Sequence, residues 1–414
     1  MNSVSFKTIG CRLNQAETAR MAAQFTAAGY KVVPFPEQCD VCVIHTCTVT
    51  SRADKDGVRL ARVAKRSNPN MVVVVAGCSA EVSPERVKKE SLADFVVGQR
   101  DKFNLPDILS RGPAQSRPKP AARAATCVPI FTNTRALVKV QDGCDFHCAY
   151  CIVPTARGEP SSRSFPEIVD EVEALADRGY VEVVLTGANL GRYESGGKTL
   201  PDLIARVEKL PGILRIRLSS IEISTVERDL IDYMAGSAKL CRCLHLPLQS
   251  GDDRILASMG RKYDTARFRS TVDYALSRIP LLGLGTDIIV GFPGEDENSF
   301  QQTVRLVDEI QFSNVHAFSY SKRPGTRAAK MSGQVSKKEK KRRVQEIIGL
   351  AEKKRIAFAD RFIGRQVSVL IESGADHTAG WTSEYVAARL ESRSCKRNEV
   401  VTFVPHLNDG GILI

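Results

Sequence analysis

The N-terminal part of the chain alternates short apolar runs with amphipathic stretches, a pattern that predicts alternating strands and helices. The apolar runs predict strands at residues 4–9, 41–45, 71–76 and 95–97. Helices are expected at residues 14–28, ending at Gly29, and from a cap at Ser51 to residue 67. This order predicts a small parallel sheet with helices on its faces, a flavodoxin-like α/β domain over residues 1–110.

The middle of the chain repeats one unit six times. It follows residues 111–132, a segment rich in Pro, Ala and Arg that is typical of a linker. The predicted strands are residues 137–141, 181–186, 214–220, 244–248, 284–290 and 315–320. The predicted helices are residues 166–177, 200–209, 226–235, 254–259, 265–277 and 297–310. Six such units predict an open (β/α)6 partial barrel within residues 133–362, with its working face at the carboxyl ends of the strands.

The C-terminal part of the chain changes from a helical pattern to a strand pattern. Residues 337–361 predict a helix with an inward apolar stripe and a basic face that either contacts phosphates or is merely solvated. The stripe is Val344, Ile347, Ile348 and Ala351, and the basic face carries Lys353, Lys354 and Arg355. Short apolar runs over residues 363–414, with a lone tryptophan at position 381, predict a small β-barrel, a fold that commonly binds single-stranded or looped RNA.

Composition narrows the possible functions. Among 414 residues the longest apolar runs are too short to span a bilayer, and the first residues lack the pattern of a secretory signal, so we expect a cytoplasmic protein without a membrane partner. In that compartment twelve cysteines are metal ligands or free thiols more often than disulfides. A net charge of +12 favours a polyanionic partner, nucleic acid before membrane.

Three cysteines, Cys144, Cys148 and Cys151, lie in one loop directly after the first predicted barrel strand. Their spacing allows a short loop to fold around a metal cluster with all three thiolates pointing inward. A structural zinc or an electron-carrying four-iron cluster takes four protein ligands, so three indicate an iron left open for a small molecule. The alternative is a zinc site completed by His147 or by a distant cysteine.

A second set of three cysteines follows three strands of the N-terminal sheet. Cys11, Cys47 and Cys78 are all expected at its carboxyl edge, where α/β sheets hold their ligands, and glycine precedes two of them. They predict a second three-ligand site, although buried core cysteines are the alternative. We interpret the Cys39/Cys42 pair as structural rather than as a redox pair or alternative ligands. The remaining cysteines are also expected to be structural: Cys127, Cys241, Cys243 and Cys395.

The loop Cys144-xxx-Cys148-xx-Cys151 resembles the radical S-adenosylmethionine (SAM) signature, and the whole chain resembles the methylthiotransferases. The other matching stretches are residues 10–17, 152–158, 245–251, 285–295 and 320–326. The resemblance implies a methylthiotransferase domain at residues 1–110, a radical SAM domain at 133–362 and a TRAM-like RNA-binding domain at 363–414. It also implies two [4Fe-4S] clusters, a radical-generating one on Cys144, Cys148 and Cys151 and an auxiliary one on Cys11, Cys47 and Cys78.

Polar or glycine-bearing strand ends are the candidates for holding SAM, although ordinary turns use the same residue types. They are Gly187, Asn189, Ser220, Glu222, Gln249 and Asp287. No catalytic side chain is assigned beyond the cluster ligands. In the family one SAM methylates a sulfur and a second yields the radical that activates the substrate carbon.

The stretch Gly-Cys-Arg-Leu-Asn-Gln-Ala-Glu at residues 10–17 resembles the branch that acts on threonylcarbamoyladenosine at position 37 of tRNA. The expected reaction is insertion of a methylthio group at carbon 2 of that base. The expected partners are the anticodon stem-loop, an electron donor and a sulfur source. The alternatives are the branches acting on isopentenyladenosine or on a ribosomal-protein aspartate, and a non-catalytic iron-sulfur protein that binds RNA.

Overall fold

The computed structural model describes residues 2–111, 128–131, 133–373, 378–390 and 395–414. Most of the predicted linker, with Cys127, lies outside these residues. The first unit is a five-stranded parallel sheet in the order β2-β1-β3-β4-β5, which confirms the flavodoxin-like prediction. Its strands are β1 Ser3–Thr8, β2 Lys31–Val33, β3 Val41–Thr46, β4 Val72–Gly77 and β5 Phe95–Val97. The sequence pattern missed β2, a three-residue edge strand whose apolar run is only Val32 and Val33.

Helices cover both faces of this sheet. They are α1 Arg12–Ala27, α2 Ser51–Ser67, α3 Cys78–Val82, α4 Pro84–Ser91 and α5 Leu105–Arg111. One core cluster packs α1 against the sheet through Met21 and Phe25, and a second packs α2 on the opposite face through Ala61 and Ala64. The prediction that Ser51 caps α2 is wrong. The cap is Thr50, whose extended backbone lets its hydroxyl accept the N–H of Ala53, whereas Ser51 is already helical.

The second unit is the open six-stranded partial barrel that the sequence predicts. Its strands are β6 Ala136–Lys139, β9 Glu182–Thr186, β12 Arg215–Leu218, β13 Cys243–His245, β14 Gly283–Val290 and β15 Asn314–Ser319. They form two parallel three-stranded sheets, β6-β9-β12 and β13-β14-β15, which a bridge between Ile216 and Leu240 joins into one curved wall. The unit also contains two short two-stranded sheets. One pairs β7 Gln141–Asp142 with β8 Ser161–Ser162, and the other pairs β10 Glu194–Ser195 with β11 Lys198–Thr199.

Most helices of this unit lie outside the wall and bury its apolar side, whereas the short helix α6 packs against α3 of the N-terminal unit. They are α6 Val153–Arg157, α7 Phe165–Asp177, α8 Leu200–Glu208, α9 Arg228–Gly236, α10 Asp253–Met259, α11 Thr265–Arg278 and α12 Glu297–Glu309. The largest core cluster of the described chain lies between these helices and the strands. The inner side of the wall is left for polar residues, which positions the functional site.

A long helix, α13 Lys337–Asp360, packs against β15 and leads into the C-terminal sheet. Ile347 is buried as expected, but Ile348 is 43% exposed, because adjacent helical positions point about 100° apart and Ile347 takes the inward one. The sheet has the order β19-β16-β17-β18-β21-β20 and is the predicted small β-rich unit. Its strands are β16 Val367–Ser373, β17 Thr378–Thr382, β18 Ala387–Leu390, β19 Val400–Phe403, β20 Asn408–Asp409 and β21 Ile412–Leu413.

Across the described ranges, every helix is either too short or too polar to cross a membrane. The domain boundaries expected from the sequence, at residues 110, 133 and 363, remain predictions.

Candidate functional site

One cavity of about 630 Å³ lies where the three units meet. The N-terminal sheet contributes its carboxyl edge and the start of α1, the partial barrel contributes the inner face of its wall, and the C-terminal sheet contributes Tyr385. The cavity therefore touches all three units and the first of the two cysteine sets, and Ile152, directly after Cys151, also lines it.

The structure brings Cys11, Cys47 and Cys78 together on the wall of this cavity. Cys11 follows β1 at the start of α1, Cys47 follows β3, and Cys78 opens α3 after β4. The two glycines that precede cysteines are required here. Gly10 and Gly77 have φ angles of 117° and 100°, and an added Cβ would lie 2.6 Å from Cys47 Cβ or 2.7 Å from the ring of His45.

Thiols placed this way are poor acids. Burial, with a smaller contribution from the neighbouring thiols of Cys78 and Cys11, raises the pKa of Cys47 to about 12. Burial also raises the pKa of Cys78. Convergent thiols that resist ionisation on their own lose their protons when a metal binds, because the ligand is the thiolate. The donor set therefore fits a thiolate-bound metal cluster.

The second set lies in the loop between β7 and α6, beyond the carboxyl end of β6. Arg261 donates to Cys148 Sγ at 3.3 Å, and the N–H of Val153 donates to Cys151 Sγ at 3.4 Å. Burial raises the pKa of Cys151 to about 12. N–H donors aimed at sulfur stabilise thiolates and cluster charge, so this loop also fits an iron-sulfur cluster. His147, considered as a zinc ligand, is exposed on the same loop.

The other cysteines lie elsewhere. Cys39 and Cys42 are buried in the apolar cluster beneath α2. Cys241 is buried, and Cys395 is partly buried against the core of the C-terminal sheet. Cys243 differs from this group, because it lines the cavity and its sulfur accepts a hydrogen bond of 2.9 Å from Arg217.

Five of the six predicted cofactor-binding residues, Asp287 among them, line the cavity or have buried polar atoms without a hydrogen-bond partner among the described residues. Gly187 and Ser220 line the cavity. Asn189 is 3% exposed, yet both atoms of its side-chain amide lack a hydrogen-bond partner among the described residues, and so does Gln249 Oε1. Buried polar atoms are seldom left unpaired, so a polar ligand at this edge of the barrel would satisfy them. That is the fit expected for SAM.

Two of the six predicted residues already have protein partners. Glu222 forms an ion pair with Arg261, the same arginine that contacts Cys148. Asp287 Oδ1 lies 3.1 Å from His245 Nε2 and 3.2 Å from His316 Nδ1. All three side chains line the cavity, and their ligand-type atoms lie within 4.8 Å of one another.

A buried charge network fixes the N-terminal unit to the barrel beside the first cysteine set. Glu17, fully buried, pairs with Lys102 at 2.6 Å, Lys139 at 2.7 Å and Arg157 at 3.1 Å. Burial opposes ionisation of Glu17, but Lys139, Lys102 and Arg157 together hold its pKa well below 4.5. Burial lowers the pKa of the adjacent His45 to about 3, so His45 is neutral.

Tyr385 connects the C-terminal sheet to the cavity. It lies in a tight turn with a φ angle of 66°, and its ring stacks on Trp381 with centroids 4.6 Å apart. Its hydroxyl accepts a hydrogen bond of 2.8 Å from Arg12. The guanidinium groups of Arg217 and Arg135 lie 4.9 and 5.4 Å from the ring centroid. The predicted RNA-binding unit thus forms part of the cavity wall.

Two of the three residues predicted on the basic face of α13 have partners within the protein. Lys354 donates to the carbonyl oxygens of Asp308 and Ile310, and Arg355 pairs with Glu352. Lys353 is exposed, as are Lys337, Lys338 and Lys341 at the other end of the helix. A phosphate-binding surface on α13 would therefore use its first turns and Lys353.

Sequence reasoning assigned no role to Arg157, Tyr385, His245 or His316. A signal existed for the two histidines, because each is a polar residue within a predicted apolar strand of the barrel, where alternation directs it to one face. Arg157 and Tyr385 carry no such signal, since their partners are distant in sequence.

Two family models match the chain. Residues 138–307 match the radical SAM superfamily, and residues 3–98 match the uncharacterized protein family UPF0004. Among solved structures, the radical SAM methyltransferase TsrM from Kitasatospora setae superimposes with a TM-score of 0.54 at 14% identity, covering 77% of this chain and 73% of that chain. The cobalamin-dependent radical SAM enzyme OxsB gives a TM-score of 0.53 at 10% identity, covering 85% and 56%. Both similarities concern the fold.

Curated relatives are much more similar in sequence. The threonylcarbamoyladenosine tRNA methylthiotransferase MtaB of Aquifex aeolicus is 37% identical, covering 89% of this chain and 92% of the relative. That of Bacillus subtilis is 36% identical, with 93% and 90% covered. The tRNA-2-methylthio-N(6)-dimethylallyladenosine synthase of Bordetella bronchiseptica is 35% identical, with 90% and 82% covered.

Proposed function

The chain belongs to the radical SAM tRNA methylthiotransferases, and from that membership we propose that it inserts a methylthio group at carbon 2 of N6-threonylcarbamoyladenosine at position 37 of tRNA. The observation that carries this proposal is the shared cavity. Cys11, Cys47 and Cys78 line it, and so do Ile152 and Val153, which follow directly on Cys151. Sulfur and radical chemistry would thus meet in one space.

Membership of the radical SAM superfamily implies SAM and one [4Fe-4S] cluster. Cys144, Cys148 and Cys151 would hold that cluster, and we propose a second [4Fe-4S] cluster on Cys11, Cys47 and Cys78. When bound, these groups supply reductive cleavage of SAM to a hydrogen-abstracting radical and the sulfur that is transferred. Arg261, held by Glu222, would keep a positive charge beside Cys148.

We assign SAM to the strand ends next to the cysteine loop. The unpaired amide atoms of Asn189 and Gln249 would bind its polar groups, with Gly187, Ser220, Glu222 and Asp287 as the remaining candidate contacts. This assignment rests on buried hydrogen-bonding capacity that the described protein leaves unused.

The partner would be the anticodon stem-loop of tRNA. The target base must leave the stack to reach the cavity, at a cost of roughly a few kcal/mol. Contacts between phosphates and the basic surface, at a net charge of +12, would offset this cost. An electron donor and a sulfur source complete the expected partners.

The test is mass spectrometry of tRNA nucleosides from a deletion strain. The 2-methylthio derivative of threonylcarbamoyladenosine should disappear on deletion and return with the intact gene, but not with Cys144→Ala or Cys78→Ala. Cys395→Ala, outside both cysteine sets, should restore it. Loss of the dimethylallyl derivative instead would assign the chain to the other tRNA branch, and an unchanged nucleoside profile would direct attention to a ribosomal-protein aspartate.

A further inference from the structure

The motif after Cys11 divides into residues that hold the fold and residues that face the cavity. Asn14 and Glu17 are both fully buried, and Asn14 donates to the carbonyl oxygens of Ile9 and Thr46. Glu17 is not on the cavity wall, and Asn14, which is, has its amide nitrogen bonded to those carbonyl oxygens and its amide oxygen bonded to Arg157. Arg12, by contrast, is partly exposed and lines the cavity. Of the charged residues at positions 10–17, Arg12 is the one that lies on the cavity wall.

Three arginines line the cavity, and their partners differ. Arg157 is paired with Glu17 and Asp142, and Arg217 is paired with Glu182 at 2.8 Å. Within the described ranges Arg12 has no carboxylate partner, and it donates one hydrogen bond to the neutral hydroxyl of Tyr385. Because a guanidinium carries five N–H donors, most of the donors of Arg12 remain for a ligand.

The surroundings of Arg12 favour an anion. The guanidinium lies 5.5 Å from the centroid of the Tyr385 ring, which in turn is stacked on Trp381. An arginine held by an aromatic face and one hydroxyl is oriented before a ligand arrives. Asp287, the acidic residue on the cavity wall, is bonded to two histidines. Arg12 is therefore a cation on the cavity wall that could pair with an anionic group of a ligand.

We propose that Arg12 binds the carboxylate of the threonyl group on the substrate nucleoside and thereby selects threonylcarbamoyladenosine over adenosines with an apolar N6 substituent. This inference rests on the proposed function, since it names what the same cavity recognises. An arginine and a carboxylate form two parallel charge-assisted hydrogen bonds. The dimethylallyl group offers no acceptor, so its entry would leave the guanidinium desolvated without compensation.

The test pairs a change in the protein with a change in the substrate. The substrates are an anticodon stem-loop carrying threonylcarbamoyladenosine and the same RNA with that carboxylate converted to its methyl ester. For the wild type, esterification should lower kcat/KM about 10- to 100-fold, the range for a charge-assisted hydrogen bond. Arg12→Gln should lower kcat/KM to a similar extent on the RNA with the free carboxylate. The variant should show no further loss of kcat/KM on the RNA with the methyl ester. Binding of the two RNAs, followed by fluorescence anisotropy, should change in the same pattern.

With these two RNAs, the inference would be overturned by additive losses from the variant and the ester, or, as a second outcome, by a wild type indifferent to esterification. The second outcome needs no variant, so the test stands even if Arg12→Gln folds poorly. A wild type inactive on both RNAs would instead contradict the proposed function.

Three further variants separate recognition from structure. Arg52→Gln changes an arginine whose side chain is 94% exposed and should behave as the wild type. Arg12→Lys should recover part of the preference for the acid, since it keeps the charge but loses the planar fork. Tyr385→Phe removes the hydroxyl partner of Arg12. If Tyr385→Phe lowered kcat/KM as much as Arg12→Gln does, and equally on the free-carboxylate RNA and the methyl-ester RNA, Arg12 would serve only to hold the C-terminal sheet.

Discussion

Arg157, on the barrel, donates a hydrogen bond of 2.6 Å to the side-chain oxygen of Asn14, on the N-terminal unit. The same guanidinium pairs with Glu17 and with Asp142. One arginine therefore joins the two units at the level of the cavity, next to the helix that begins at Cys11. Positions of the two cysteine sets relative to each other depend on this joint.

Replacing Arg157 should lower the stability of the folded protein. Arg157→Ala leaves the buried Glu17 and the partly buried Asp142 with fewer cations, and breaking a buried pair typically destabilises by about 3–5 kcal/mol. We expect a lower unfolding midpoint in urea and reduced iron content after anaerobic reconstitution. Arg59→Ala, at an arginine 64% exposed, is the matched control and should change neither. Equal behaviour of the two variants would contradict the structural role assigned to Arg157.

Adjacent arginines on α13 should differ sharply in their contribution to stability. Arg343 is buried and pairs with the buried Glu295 at 3.0 Å, whereas Arg342 pairs with three glutamates at the surface. Arg343→Ala should lower the free energy of unfolding by about 3–5 kcal/mol, and Arg342→Ala by about 0–1 kcal/mol. Urea titrations of the two variants compare the losses directly. A larger loss for Arg342→Ala would show that the helix is held from its outer face.

The ion pairs at Glu182 should make stability depend on pH. Burial opposes its ionisation, but Arg217 and Arg215 outweigh this effect and hold the pKa of Glu182 below 4.5. The carboxylate thus contributes stability above pH 4.5, and this contribution is lost as the pH falls through the lower folded-state pKa. The difference in unfolding temperature between the wild type and Glu182→Gln should therefore be largest near pH 7 and shrink below pH 4.5. A constant difference would refute it.

Exposed lysines of α13 should contribute to RNA affinity through phosphates alone. Replacing Lys337, Lys338 and Lys341 by glutamine should weaken binding of any tRNA and reduce the slope of log K against log salt by about one per lost contact. Filter binding at several salt concentrations measures that slope. Lys354→Gln removes hydrogen bonds to carbonyl oxygens inside the protein, so it should lower the unfolding temperature but leave the slope unchanged.

Much of the fold could be predicted because nearly unbroken apolar runs mark buried parallel strands. The placement of Cys11, Cys47 and Cys78 on one edge followed from the topology of such a sheet. The joint between Arg157 and Asn14 could not be predicted, because its partners are 143 positions apart and each residue type has many possible partners. For the same reason no pattern indicated that Tyr385 would reach the cavity. The apolar stripe on α13 contains the neighbours Ile347 and Ile348, and the sequence alone does not show which of the two takes the inward position.

The two cysteine sets also differ in the stage of folding at which their members come together. Cys144, Cys148 and Cys151 belong to one loop, so a few residues suffice to bring them together. Cys11, Cys47 and Cys78 follow β1, β3 and β4, and they converge only after those strands have paired in parallel. Such pairing requires closing long loops before any contact forms. The set Cys11, Cys47 and Cys78 is therefore a product of completed folding, and the second cluster proposed there would have to be inserted into a folded domain.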